Sequence, residues 1–91
     1  MYISKEKKEK ISEQILAYLY STNPKALFTS YIAKEIARDE EFTKSLLIEL
    51  KKKDFVVEIT KNPKGKDYTK RSRWKLSEKV YVLYKQKQSL N

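Results

Sequence analysis

The stretch Leu46-Leu47-Ile48-Glu49-Leu50-Lys51-Lys52-Lys53-Asp54-Phe55-Val56-Val57-Glu58-Ile59 contains the change of period that decides the fold. Leu46, Leu47 and Leu50 fall on one side of a helix that runs to about residue 53. From Phe55 the chain alternates, with Phe55, Val57 and Ile59 on one face and Val56, Glu58 and Thr60 on the other, so a strand follows the helix almost directly. Residues 62–67, Asn-Pro-Lys-Gly-Lys-Asp, are a turn cluster. Alternation then resumes over 71–76, where Ser72, Trp74 and Leu76 stand opposite Arg71, Arg73 and Lys75. The two runs pair as a hairpin with one apolar and one basic face. Ser77 can cap a last helix from Glu78 to about Gln88.

Working backwards, Asp39 or Glu40 starts the helix that ends in three lysines, an acidic-to-basic order that suits the helix dipole. Thr43 or Phe42 extends its buried stripe one or two turns earlier. A shorter helix is predicted over 31–37, capped by Thr29 or Ser30, with Ile32, Ala33 and Ile36 inward. An extended piece over 26–28 precedes it. The first helix covers 5–20, with Ser4 as cap and Ile11, Ile15, Tyr18 and Leu19 on one apolar face, and it ends before Pro24. The order is helix, short strand, helix, helix, strand, strand, helix, in one domain spanning residues 1–91.

Between residues 51 and 75, eight lysines and two arginines stand against Asp54, Glu58 and Asp67, so most of the net charge of +9 sits in one segment. Such a basic helix end and hairpin match a phosphate backbone, because neutralising phosphates releases condensed counterions. The chain has neither cysteine nor histidine, which removes disulfides, thiolate metal sites, the usual general base and the usual zinc ligand. There is no Gly-rich phosphate loop and no HExxH-like spacing. No enzymatic activity, cofactor, metal or small-molecule substrate is expected, and no effector pocket is evident. No apolar run reaches the ~20 residues of a membrane span and no signal-peptide core opens the chain, so the expectation is a cytoplasmic protein away from membranes. One glycine among many Lys and Glu residues leans towards a thermophile-like composition.

Ile32-Ala33-Lys34-Glu35-Ile36, then residues 47–56 as quoted, then Arg71 to Leu76 and Ser77-Glu78-Lys79, together resemble the winged helix-turn-helix DNA-binding family. The likeness is to small transcriptional regulators of the MarR and archaeal types. It covers about residues 11–84 and rests on order and spacing rather than on one motif. It implies an α+β fold: a three-helix core, a two-stranded basic β-wing and a C-terminal helix. Asp54 stands where the family usually has a glycine at a helix C-cap, and Asp is among the better substitutes there. The turn Ala37-Arg38-Asp39-Glu40-Glu41 is more acidic than the family pattern, which sets it against phosphates.

The resemblance implies that the helix over 40–53 lies in the major groove. Glu41, Lys44, Ser45, Ile48, Lys51 and Lys52 point away from its buried stripe. Lys44 and Ser45 are candidates for groove contacts, and Lys51 and Lys52 for phosphates. The plain alternative is a solvated helix face. In the hairpin, Lys61, Lys64, Lys66, Lys70, Arg71 and Arg73 form a wing, 61–73, suited to the neighbouring backbone or minor groove. Edge protection by lysines is the plain alternative there. Tyr68 reads as packing or solvent-facing, and Trp74 as core. Leu16, Tyr20, Val80, Tyr81, Leu83 and Tyr84 give the terminal helices more apolar surface than one face needs, which marks a dimer interface that includes the C-terminal helix, 78–91. The family often pairs through such helices, which would set two recognition helices about 10 base pairs apart.

The expected function is a sequence-specific, double-stranded-DNA-binding transcriptional regulator acting as a homodimer. Two alternatives use the same surfaces. One is an architectural DNA binder with little sequence preference. The other is a winged-helix interaction module of a replication, partition or transcription complex. RNA is a weaker partner, since neither paired stacking aromatics nor a GXXG loop is present.

Overall fold

The structure, a computed structural model, describes residues 4–60 and 71–89. The turn cluster at 62–67, with Lys61, Lys64, Lys66, Tyr68 and Lys70, lies outside the described residues. Seven elements follow in order: α1 (Lys5–Thr22), β1 (Leu27–Phe28), α2 (Thr29–Glu35), α3 (Glu40–Lys52), β2 (Val56–Ile59), β3 (Arg73–Leu76) and α4 (Glu78–Ser89).

Capping sets most of these bounds. Ser4 caps α1 by accepting from the Lys7 amide at 3.2 Å, and Asp39 caps α3 by accepting from the Phe42 amide at 2.8 Å. Each cap satisfies an orphan amide of the first turn and contributes about 1 kcal/mol. The C-termini of α2 and α3 share one solution. At α2 the Arg38 amide donates to the Ala33 carbonyl at 3.0 Å and the Ala37 amide to Lys34 at 3.3 Å. At α3 the Phe55 amide donates to Leu50 and the Asp54 amide to Lys51, both at 2.9 Å. Both are Schellman turns, which need one left-handed residue, and Ala37 (φ 56°) and Asp54 (φ 65°) supply it. The only glycine, Gly65, is elsewhere in the chain.

The core is one cluster. Ile11, Ile15 and Leu19 of α1 meet Ile32 of α2, Leu46, Leu47 and Leu50 of α3, Val56, Trp74 and Leu76 of the sheet, and Val80 of α4. Trp74, on the central strand, is fully buried, and its indole N–H donates to the Thr29 hydroxyl at 2.8 Å. That bond corrects the expected start of α2. The helix begins at Thr29, and its N-cap, Phe28, offers no side-chain acceptor, while the Thr29 hydroxyl serves the tryptophan. It also ends earlier than expected, with Ile36 as its C-cap.

The sheet is antiparallel with order β1-β3-β2. Leu27 and Phe28 oppose Trp74 and Arg73, while Val56, Val57, Glu58 and Ile59 oppose Leu76, Lys75, Trp74 and Arg73. Opposed residues share a face. Val56 and Glu58 therefore join the Trp74–Leu76 face, and Val57 lies beside Lys75 and is 39% exposed. In β3 the expected division holds, with Trp74 and Leu76 inward and Arg73 and Lys75 on the other face, but in β2 it is Val56 with Glu58, and not Val57 and Ile59, that joins the core face. The Phe55 amide is tied to Leu50, and this sets the phase in which the strand leaves the helix, so Val56 turns inward. Among the described residues, no helix is long and apolar enough to cross a membrane.

Candidate nucleic-acid interface

Burial of Thr43, Leu46, Leu47 and Leu50 fixes the rotation of α3. At 3.6 residues per turn, Glu41, Ser45, Ile48 and Lys52 run along the opposite side, and Lys44 and Lys51 flank them. All six are exposed. The Ser45 hydroxyl donates to the Phe42 carbonyl at 2.6 Å, within its own helix. Glu40 and Glu41, in the first turn, give this surface an acidic end.

The strand side of α3 carries the cations of the wing base. Arg71, Ser72 and Lys44 line one small hollow together with Phe28, Ser30 and Glu40. The start of α2, the approach to β3 and the first turns of α3 thus meet there. Phe28 organises the arginines. The Arg73 guanidinium lies 4.8 Å and that of Arg71 5.8 Å from the centre of its ring. Tyr31, 58% exposed on α2, approaches the same ring at 6.0 Å. Contacts of this kind are worth ~0.5–1 kcal/mol where exposed and about 2 kcal/mol when desolvated.

Behind this, Glu58 links α3 to the sheet. Lys51 Nζ donates to Glu58 Oε1 at 2.8 Å, and the Ser72 hydroxyl donates to Oε2. The hydrogen bond from Lys51, then that from Ser72, hold the Glu58 carboxyl below the ordinary carboxylate value against the opposing effect of burial. The charges of Lys51 and Lys44 act in the same direction.

The structure thus brings Lys44, Arg71 and Arg73 to one side of the molecule and leaves Ser45, Ile48 and Lys52 on the outer face of α3. Lys51 is engaged with Glu58, and the four wing lysines lie outside the described residues. Phe28, Tyr31, Glu58 and Ser72 were not singled out from the sequence. Phe28 read simply as part of a short extended piece, and its relation to Arg73 follows from the β1–β3 pairing.

At the other end of the molecule, Tyr20 of α1 stacks on Tyr84 at 5.3 Å and meets Tyr81 at 5.5 Å, and its hydroxyl donates to Gln88 Oε1 at 2.9 Å. Burial, with Glu13 nearby, raises the Tyr84 phenol above its ordinary value. Val80, expected at an interface, is instead only 6% exposed and belongs to the core of the single chain. Leu16, Tyr20, Tyr81 and Tyr84 pack against that core. The apolar surface left outward is Leu83, 61% exposed, with Val82 at 42%.

Four helices and a three-stranded sheet around one core, a helix-turn-helix made by α2 and α3, and a β2–β3 wing braced by β1 make this a winged helix-turn-helix fold. The chain is similar to MepR of Staphylococcus aureus in its complex with DNA, with a TM-score of 0.73 and 22% identity over 92% of this chain and 66% of that one. It is also similar to MepR described as a transcription regulator of the multidrug efflux pump MepA, at TM-score 0.64 and 21% identity, covering 91% of this chain and 66% of that one. A mutant of Lactococcus lactis ZitR gives TM-score 0.68 and 17% identity over 98% of this chain and 56% of that one. At such identities the likeness is one of fold. The chain spans 53% to 66% of the length of the MepR chains it matches. No family model and no curated protein matches the sequence.

Proposed function

We propose that this chain is a non-enzymatic, cytoplasmic transcription regulator that binds double-stranded DNA as a homodimer. In this reading α3 enters the major groove, with Lys44 and Ser45 near base edges, Ile48 on the outer face and Lys52 at phosphates. The wing, 61–73, follows the adjacent backbone or minor groove. The observation that carries the reading is the shared hollow of Lys44 and Arg71, which joins the cations of the helix and the wing base into one surface. The MepR–DNA complex, built on the same fold, adds support for DNA as the partner. The homodimer is supported by the outward apolar side chains of Val82 and Leu83 on α4, Leu83 lining one hollow with Tyr84.

The test is a set of duplex titrations over a salt range with the wild type, Lys44→Ala and Arg71→Ala. A side chain that contacts phosphate contributes about 0.9 to the slope of log K against log salt. Each variant is expected to weaken binding, with Arg71→Ala flattening the slope by about that amount. Unchanged affinity in both variants would remove the proposed surface. A second reading, architectural binding with little sequence preference, is favoured by exposed Glu40 and Glu41 at the start of α3, where base reading would begin. It predicts equal affinity for unrelated duplexes.

A further inference from the structure

Lys51 stands in the last turn of α3, Glu58 on β2 opposite Trp74, and Ser72 just before β3. One carboxylate therefore touches all three elements that build the DNA-facing side. Its side chain is 19% exposed, against 52% for Lys51. Both of its oxygens accept hydrogen bonds, one from Lys51 at 2.8 Å and the other from Ser72. For Lys51 to serve a phosphate as a cation not already neutralised, its ammonium must leave Glu58. That would strip a half-buried carboxylate of its cation just as a polyanion approaches. The two changes oppose each other, because any attraction of Lys51 to phosphate is offset by a bare carboxylate beside negative charge. Lys52, one residue on, forms no ion pair with the described residues and faces outward.

We infer that Glu58 is a specificity-determining residue of this interface, which withholds Lys51 from the phosphate backbone and so lowers the sequence-independent part of the DNA affinity. The inference rests on the DNA-binding reading above. A lysine bound to phosphate strengthens binding to every duplex alike, whereas a lysine held by Glu58 adds nothing to random DNA. The bonds from Lys51 and Ser72 also keep the wing base in a fixed relation to α3, so groove and wing contacts are presented together.

Glu58→Gln tests this, since Gln keeps the size of the side chain and can still hydrogen-bond Ser72, while it removes the negative charge that pairs with Lys51. Binding to a random-sequence duplex is measured across salt for the wild type, Glu58→Gln, Lys51→Ala and the double variant, with thermal unfolding to establish that each is folded. Glu58→Gln is expected to bind about 5- to 10-fold more tightly near ~0.1 M salt, with a slope steeper by about 0.9, the signature of one additional neutralised phosphate. Lys51→Ala in the wild-type background is expected to leave the slope unchanged, since no phosphate contact is lost, and to lower the affinity by no more than about 2- to 3-fold through the bared Glu58 carboxylate; in the Glu58→Gln background it is expected to abolish the tighter binding. If Lys51→Ala alone flattens the slope by about 0.9, Lys51 already serves phosphate and the inference falls. It falls equally if Glu58→Gln weakens binding without steepening the slope, or if the tighter binding survives in the double variant. A wild type that binds no duplex even at low salt would overturn the DNA-binding reading itself, an outcome distinct from all of these.

Discussion

Replacing Thr29 by Val removes one hydroxyl and keeps the shape of the side chain. The indole of Trp74 is wholly buried, Thr29 is 7% exposed, and the 2.8 Å bond between them joins the start of α2 to the central strand. With the acceptor gone, the indole N–H is stranded in an apolar core, a loss of ~1–3 kcal/mol. Against a typical domain stability of ~5–15 kcal/mol this is a large fraction. Taking ~2 kcal/mol and a fall of roughly 4–8 °C per kcal/mol for a domain of this size, Tm drops by about 8–16 °C. Thr29→Ser retains the hydroxyl and loses only a methyl group, worth about 0.8 kcal/mol, so it must be the milder variant. Trp74 is the sole tryptophan, so its fluorescence during urea unfolding reports this site directly. The reasoning is refuted if Thr29→Val costs less than Thr29→Ser. It is refuted also if Thr29→Val costs under ~0.5 kcal/mol, which would leave the buried indole indifferent to its partner.

Ala37→Gly at φ 56° is expected to add about 0.5–1 kcal/mol of stability by relieving a left-handed alanine, while Asp54→Gly at φ 65° adds less, because Asp tolerates that conformation better and its 3.5 Å pair with Lys79 is lost. Thermal unfolding of the two variants decides this, and the opposite ranking would contradict it. Phe28→Leu keeps apolar bulk but removes the ring beneath Arg71 and Arg73; duplex affinity should fall about 2- to 10-fold, in line with ~0.5–1.5 kcal/mol, and unchanged affinity would deny the ring its role. The Glu58 carboxyl is held below its ordinary value, so its pairing stabilises the fold above the unfolded-state value and that contribution is lost as pH falls through the lower folded-state value. Urea unfolding near pH 7 and about pH 3 should show a smaller pH dependence in Glu58→Gln than in the wild type, and equal dependence would contradict the pairing.

The helices were legible because their signals are local. Ser4 and Asp39 do cap α1 and α3, and the apolar spacing of Ile11, Ile15 and Leu19, or of Leu46, Leu47 and Leu50, marks faces that are buried. The left-handed residue that closes α3, Asp54, was legible through the resemblance, since it stands there in place of a glycine. What was not legible depends on partners distant in sequence. Thr29 read as a helix cap, and its hydroxyl goes instead to a tryptophan 45 residues away. β2 is apolar on both faces over Val56, Val57 and Ile59, so alternation alone does not fix which face turns inward, and the turn at Asp54 and Phe55 does. Lys51 read as a free cation because its partner, Glu58, lies across a helix–strand junction. The outer face of α3 was predictable once its buried stripe was known. The Phe28 platform required the β1–β3 pairing.

The most direct test of the central claim is a salt series of binding to a random duplex, run beside a duplex selected from a genomic pool. The account predicts a steep fall of log K with log salt on both, and a selected two-fold-symmetric site bound ~10³-fold or more tightly than random DNA. No binding to either duplex at about 0.1 M salt would contradict it, and would turn the basic surface towards an acidic protein partner instead.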